Sequence, residues 1–278
     1  MRLMRNHLVG VIVGCFVLTT FCAAQGGAVP AAQSPIVNAS GLPGQTWTAA
    51  GNLSPIEHDN FYTQSYIEQG AALYGNRTGS MTVTPYVSVG LVLDTQGLKW
   101  NNKIEPRVGV KLNRLFRSGI ISMGSAYSYE NRFRSTESSA LILYAQDWFG
   151  WQPVAIKSSR FPGSTWAAAG NISPVERGDI IAQAYVNQGV VAKRFSKFTL
   201  VPFVDTTVSH DTKGFDWDNK VMYGSGAKIC VLRRDIYTEF GAGYHRETRF
   251  ASGLTAGGIS VFSNFSFGWN LLSLRRGR

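Results

Sequence analysis

Apolar and polar residues alternate through several long stretches of this chain. From Met81 to Asp94, and again from Ile104 to Asn113, the apolar residues occupy every second position. A period of two places successive side chains on opposite faces of a β-strand. Each stretch therefore predicts a strand with one apolar and one polar face.

The alternating stretches are long for a soluble protein. They span about 11 to 15 residues, whereas strands of globular proteins average five or six, and a tilted membrane-crossing strand needs about 9 to 11. Such lengths favour an all-β, antiparallel transmembrane β-barrel over a secreted β-sandwich. Strands are expected near 62–74, 81–94, 103–115, 120–133, 140–151, 181–194, 198–211, 220–232, 236–250 and 257–271.

The sequence also repeats itself at long range. Residues 43–57 reappear 119 positions later as 162–176, and after a two-residue deletion the match continues at an offset of 117. Solenoid repeats are about 20 to 50 residues long, so this period predicts a duplicated half-structure instead. The predicted organisation is a signal peptide over 1–24, an N-terminal segment over 25–41, a first half-barrel repeat over 42–151 and a second over 152–278.

The turn lengths predict the number of strands. The connections near 116–119 and 233–235 are short, and those near 94–102 and 211–219 are longer. Bacterial barrels keep short turns periplasmic and long loops outside, so a chain that enters from the periplasm needs one further upward strand per copy. Segments 45–53 and 164–172 are the candidates, which gives twelve strands. Ten is the alternative, with these segments crossing as loops or filling the lumen.

The first residues and the composition suggest export. Arg2 and Arg5 precede an apolar run from Leu8 to Phe21, and small residues follow before Gln25. This pattern predicts a cleavable signal peptide and the outer membrane of a Gram-negative bacterium as destination. The net charge of +10 is not gathered into one run. We therefore expect outer-membrane lipid and a polysaccharide as partners, and no nucleic acid.

The charged residues share one face of their strands. An Arg or Lys that faces lipid near the midplane costs about 2 to 4 kcal/mol, so the charged face is predicted to line the lumen. We interpret Glu130 with Arg132, and Glu247 with Arg249, as pairs that neutralise one another rather than as a selectivity filter. The predicted lumen-lining residues are Arg107, Lys111, Glu130, Arg132, Lys228, Glu247 and Arg249.

Four tryptophans occur at equivalent positions of the two copies. Trp47 matches Trp166, and Trp100 matches Trp217. An aromatic ring beside Asn or Asp can stack on a sugar and hydrogen-bond its hydroxyls. The pattern favours the alternative interpretation, an aromatic girdle at the membrane interface.

Catalytic chemistry is sparse in this sequence. None of the histidines is repeated, and Ser209, His210 and Asp211 form the only nucleophile-like cluster. Neighbouring residues on a strand point to opposite faces, so these three side chains are not expected to converge. We expect no enzyme activity, no cofactor and no metal site. Two alternatives stay open: a barrel hydrolase using His210 and Asp211, and a soluble secreted β-sandwich that binds carbohydrate through the tryptophans.

Three short motifs resemble a known family. The Pro-Phe-Val strand at 202–204, the Trp-Asn-Asn-Lys loop at 100–103 and the Gly-x-Gly-x-Lys strand at 224–228 look like the C-terminal barrel of the phage adsorption protein A family. Those outer-membrane proteins are tied to exopolysaccharide export and phage adsorption. The resemblance implies a narrow channel or surface receptor, linked to export or attachment of a polysaccharide, and it implies no catalytic residue.

Overall fold

The computed structural model describes residues 41–52, 54–75, 80–99, 101–133, 135–152, 154, 158–233 and 236–271. The predicted signal peptide, nearly all of the predicted N-terminal segment, and Trp100 lie outside these residues. Most of the described chain is in strands. No helix in this part of the chain is long and apolar enough to cross a membrane.

The strands form two series in which long and short strands follow the same order. A short 3-10 helix (Asp216–Asp218) lies before β12. The matching series agrees with the sequence repeat, and an origin by duplication stays a prediction. The first series is β1 (Pro43–Gly51), β2 (Tyr62–Gly70), β3 (Tyr74–Gly75), β4 (Met81–Asp94), β5 (Lys103–Phe116), β6 (Gly119–Arg132) and β7 (Glu137–Trp151). The second series is β8 (Gly163–Gly170), β9 (Ile181–Gly189), β10 (Lys193–Arg194), β11 (Thr199–Asp211), β12 (Lys220–Arg233), β13 (Ile236–Arg249) and β14 (Thr255–Asn270).

The sheet closes on itself. Strand β1 pairs antiparallel with β2 on one side and with β14 on the other, and we call the β1–β14 pairing the seam. The order around the barrel is β1-β2-β4-β5-β6-β7-β8-β9-β11-β12-β13-β14. The prediction of a closed antiparallel barrel of twelve strands is confirmed. Its two additional strands, β1 and β8, lie within a few residues of the segments proposed for them.

Two predicted strands differ from the structure near their ends. The predictions over 62–74 and 181–194 were of unbroken strands, but β2 stops at Gly70 and β9 at Gly189. Just beyond these points Ala71 donates a hydrogen bond to the Pro85 carbonyl (3.0 Å), and Val190 donates to the Pro202 carbonyl (2.9 Å). Proline has no N–H with which to return the bond. The regular ladder therefore breaks, and it resumes in the two-residue strands β3 and β10.

The two faces of the barrel differ in polarity. On β5 the apolar Val108 and Val110 are exposed on the outer face (57% and 43%), while Lys111 and Asn113 on the inner face are buried. Similar apolar exposure recurs on other strands around the barrel. The structure thus has an apolar outer surface and a polar interior, the reverse of a soluble domain.

Candidate functional site

Six connections between long strands lie at one end of the barrel, which we call the mouth. Two of them contain the repeated Ser-Pro-x-Glu sequence: loop A joins β1 to β2 (residues 52 and 54–61), and loop B joins β8 to β9 (171–180). Their serines, Ser54 and Ser173, are buried although they belong to loops. Both loops therefore pack into the barrel instead of projecting away from it.

Loop B is fixed to strand β6 by an ionic cluster that we call latch B. The Ser173 hydroxyl donates to Glu130 Oε2 (2.6 Å) and accepts from the backbone N–H of Glu176 (3.2 Å). Arg132 donates to Glu130 (2.7 Å) and to Glu176 (2.5 Å). One arginine thus bridges a carboxylate of the wall and a carboxylate of the loop, and Lys103, 3.4 Å from Glu130, supplies the second positive charge. Such charge-assisted bonds are the strong ones among protein hydrogen bonds.

Loop A is held in the same way, by a cluster with strand β13 that we call latch A. Ser54 donates to Glu247 on β13 (2.5 Å), and Arg249 donates to Glu247 (3.0 Å) and to Glu57 of loop A (2.5 Å). Each latch joins a loop of one half to a strand of the other. The predicted pairs Glu130 with Arg132 and Glu247 with Arg249 do form contacts, but each arginine also serves the loop glutamate, which the sequence interpretation missed.

The two lysines that were predicted to line the lumen form ion pairs further from the mouth. Lys111 donates to Glu68 on β2 (2.6 Å), and Lys228 forms an ion pair with Glu239 on β13 (2.9 Å). Lys228 also donates to Asn187, which is the counterpart of Glu68. The two halves thus place the neutralising carboxylate differently: Glu68 is two strands away from Lys111, across β4, whereas Glu239 is on the strand next to Lys228.

Arg107 connects the wall to loop B. It donates to Glu105 on the same strand (3.1 Å) and to the backbone carbonyl of Ile172 in loop B (3.2 Å).

A second polar cluster lies on the other side of the lumen, where Asp205 accepts from Tyr185 (3.0 Å) and contacts His245 (3.1 Å). Each basic residue predicted to line the lumen therefore has a carboxylate partner in the structure.

A cavity of about 480 Å³ lies in the lumen beside Ile172 of loop B. Trp47 and Trp166 line it, and Trp47 stacks on Tyr66 with ring centroids 6.0 Å apart. The girdle interpretation is therefore wrong for Trp47 and Trp166, because the strand register turns both side chains inwards. Trp217 lies in the mouth, stacked on Phe215 at 4.9 Å.

The hydrolase alternative is not supported by this geometry. Asp211 accepts hydrogen bonds from the backbone N–H groups of Gly214 and Phe215, so its carboxylate stabilises its own turn. His210 follows Ser209 on β11, and neighbouring strand residues point to opposite faces. Ser209 accepts from Gln183 instead.

The comparisons with known proteins give structural similarity only. No family model and no curated protein matches the chain. The COG4313 outer membrane channel from Pseudomonas putida F1 is 8% identical, covers 87% of this chain and 100% of its own, and superposes with a TM-score of 0.49. The NanC porin is 11% identical over 80% of this chain and 98% of its own (TM-score 0.38). A bacterial polysaccharide outer membrane secretin is 8% identical over 84% and 100% (TM-score 0.40).

Removing the arginine of latch B tests its contribution to stability. We expect Arg132→Met to lower the free energy of unfolding by about 3 kcal/mol, because it removes the ion-pair partner of the buried Glu176 and leaves Glu130 with Lys103 alone. Arg177→Met is the matched control, since Arg177 belongs to the same loop but is exposed. It should change stability by less than about 0.5 kcal/mol. Urea titration of the refolded barrel in lipid measures both, and equal losses in the two variants would contradict the latch.

Asp218 in the mouth should make stability depend on pH. Burial raises the pKa of Asp218 to about 6, and the negative charge of Glu176 raises it further. Both effects are included in the value of about 6. Because this pKa lies above its ordinary value, the folded chain binds more protons than the unfolded chain at mildly acidic pH. The stability that Asp218 contributes is therefore greatest below about pH 4 and decreases as the pH rises through about 6.

The variant Asp218→Asn should lack this decrease. The equivalent residue of the first half, Asn101, is already an amide. Urea midpoints measured between about pH 4 and 7 should therefore fall less steeply for the variant than for the wild type. Parallel curves for the two proteins would exclude Asp218 as the titrating group.

Proposed function

We propose that this chain is a narrow channel in the outer membrane of a Gram-negative bacterium. The observation that carries the proposal is a cavity inside a closed barrel, lined by aromatic side chains and by polar and charged groups. A barrel that served only as a rigid support would gain stability by filling this space with apolar side chains. Polar cavities of this size hold water and small solutes.

The outer surface supports the membrane location. Exposed apolar side chains occur on strands all around the barrel, for example Val108 on β5, Leu141 on β7 and Ile259 on β14. Soluble monomers rarely expose contiguous apolar patches larger than a few hundred Å². Contact with lipid hydrocarbon makes this surface favourable, and outer-membrane lipid is then the first partner of the protein.

The charge arrangement supports a channel of weak ion selectivity. The basic residues of the lumen are paired with carboxylates, so the wall offers small ions little net attraction of either sign. Loops A and B lie inside the mouth, where the latches hold them. The latched loops narrow the path, and the mouth would face the outside of the cell.

Conductance across a planar lipid bilayer tests the proposal. We expect the wild type to give small current steps with weak cation or anion preference. The double variant Arg132→Ala, Arg249→Ala removes the ion pairs between the loops and the wall and should give clearly larger steps. Arg177→Ala, at the exposed position of loop B, should conduct like the wild type.

The controls separate a closed barrel from a misfolded one. Each protein is first shown to be folded by its shift in gel mobility on boiling in detergent. A folded wild-type barrel that gives no current steps would contradict the channel. Unchanged steps in the double variant would show that the latched loops do not narrow it.

A further inference from the structure

We propose that the lumen cavity binds a neutral oligosaccharide between the Trp47–Tyr66 pair on one wall and Trp166 on the opposite wall. The inference rests on the proposed channel and names the class of solute that its lumen accepts. It is carried by the direction of the aromatic side chains, the amides beside them and the pairing of nearby charges.

The two aromatic pairs occupy equivalent places in the two halves. Trp47 on β1 is the cross-strand neighbour of Tyr66 on β2, and Trp166 on β8 is the cross-strand neighbour of Tyr185 on β9. Five long strands separate β1 from β8 in either direction around the barrel, so the pairs lie on opposite walls. Trp47, Tyr66 and Trp166 all line the same cavity. A flat solute between these walls would have an aromatic ring on each side.

Polar groups with both donor and acceptor capacity lie beside the rings. Gln64, Gln146 and Gln183 line the cavity, and an amide can accept from one hydroxyl while it donates to another. Trp148, next to Trp166 across the β7–β8 pairing, is buried and adds a third tryptophan to the lining of the cavity.

This combination fits a pyranose ring. The C–H groups of one sugar face are apolar and weakly positive, so they pack on the negative face of an aromatic ring. The hydroxyls lie around the rim of the sugar and suit the surrounding amides. An aliphatic solute would offer no hydrogen bond to Gln64 or Gln146, and a small ion would not use the aromatic rings.

The nearby charges favour a neutral sugar over an acidic one. Lys111 and Arg107 line the cavity, but Glu68 and Glu105 already pair with them. An anionic saccharide would have to displace one of these carboxylates, which would leave a buried charge without its partner. A neutral oligosaccharide leaves both ion pairs intact.

Calorimetric titration of the folded barrel in detergent tests the inference without requiring conduction. The probes are maltohexaose and cellohexaose, two neutral glucose oligomers of different linkage, with polyethylene glycol of similar mass as the control polymer. We expect at least one oligomer to bind saturably and the polyethylene glycol not to bind. Trp47→Ala and Trp166→Ala should each weaken binding about tenfold, the loss expected for one stacking contact.

Two further variants separate stacking from a general effect on the fold. Trp47→Phe keeps a ring and should retain most of the affinity. Phe240→Ala removes an exposed aromatic from the outer face and should bind like the wild type. Absence of binding by both oligomers, or equal loss in Phe240→Ala and Trp47→Ala, would overturn the inference.

Comparison with the bilayer experiment distinguishes the two proposals. A protein that conducts but binds neither oligomer is a channel without this site. A protein that binds an oligomer through Trp47 and Trp166 but never conducts has the site, and the channel proposal then fails alone.

Discussion

The structure depends on one constraint, the hydrogen bonding of the backbone in a medium without water. Each N–H or C=O group left unpaired in hydrocarbon costs several kcal/mol, so a sheet that crosses a membrane must have no edge. The seam meets this condition by pairing β1 with β14 along the whole of β1. Closure then assigns every side chain of a long strand either to the outer surface or to the lumen.

The polar interior follows from closure. A charged side chain that faces lipid costs free energy, so the charged residues point into the lumen. Because they are buried there, their charges need partners. Other strands of the wall supply the partners of Lys111 and Lys228. Near the mouth, loops A and B supply Glu57 and Glu176. The loops are therefore held inside the barrel by ion pairs between their glutamates and the arginines of the wall, and this narrows the proposed channel.

The sequence predicts the strands and their inner and outer faces because both depend on local alternation. The need for twelve strands follows from turn lengths and from the direction of entry. The two interruptions are visible in hindsight as Pro85 and Pro202, each of which lacks a donor N–H. The inward direction of Trp47 was not predictable in the same way, since the segment around it is short and its alternation is weak. Only the pairing of Trp47 with Tyr66 fixes that direction.

The latches depend on contacts between residues far apart in the sequence. Ser54 and Glu247 are separated by 193 positions, and no local pattern connects them. The usable signal was the coincidence that Ser-Pro-x-Glu and Glu-x-Arg-Phe both occur twice. Local strand patterns predict which residues point inwards, but they do not show which inward residues meet. The lysine partners were unpredictable for the same reason. The first half has Glu68 and Ser122 where the second half has Asn187 and Glu239, and only the order of the strands brings both of these positions close to the lysine of that half.

The most direct test of the closed barrel is a disulfide across the seam. Thr48 and Phe265 are direct partners on the outer face, so their Cβ atoms lie close to disulfide distance. In lipid vesicles the pair Thr48→Cys with Phe265→Cys should cross-link on mild oxidation, as detected by mass spectrometry of the linked peptides. Thr48→Cys with Val261→Cys, four residues out of register on the same face, should not. Equal cross-linking of the two pairs, or none in either, would contradict closure through β1 and β14.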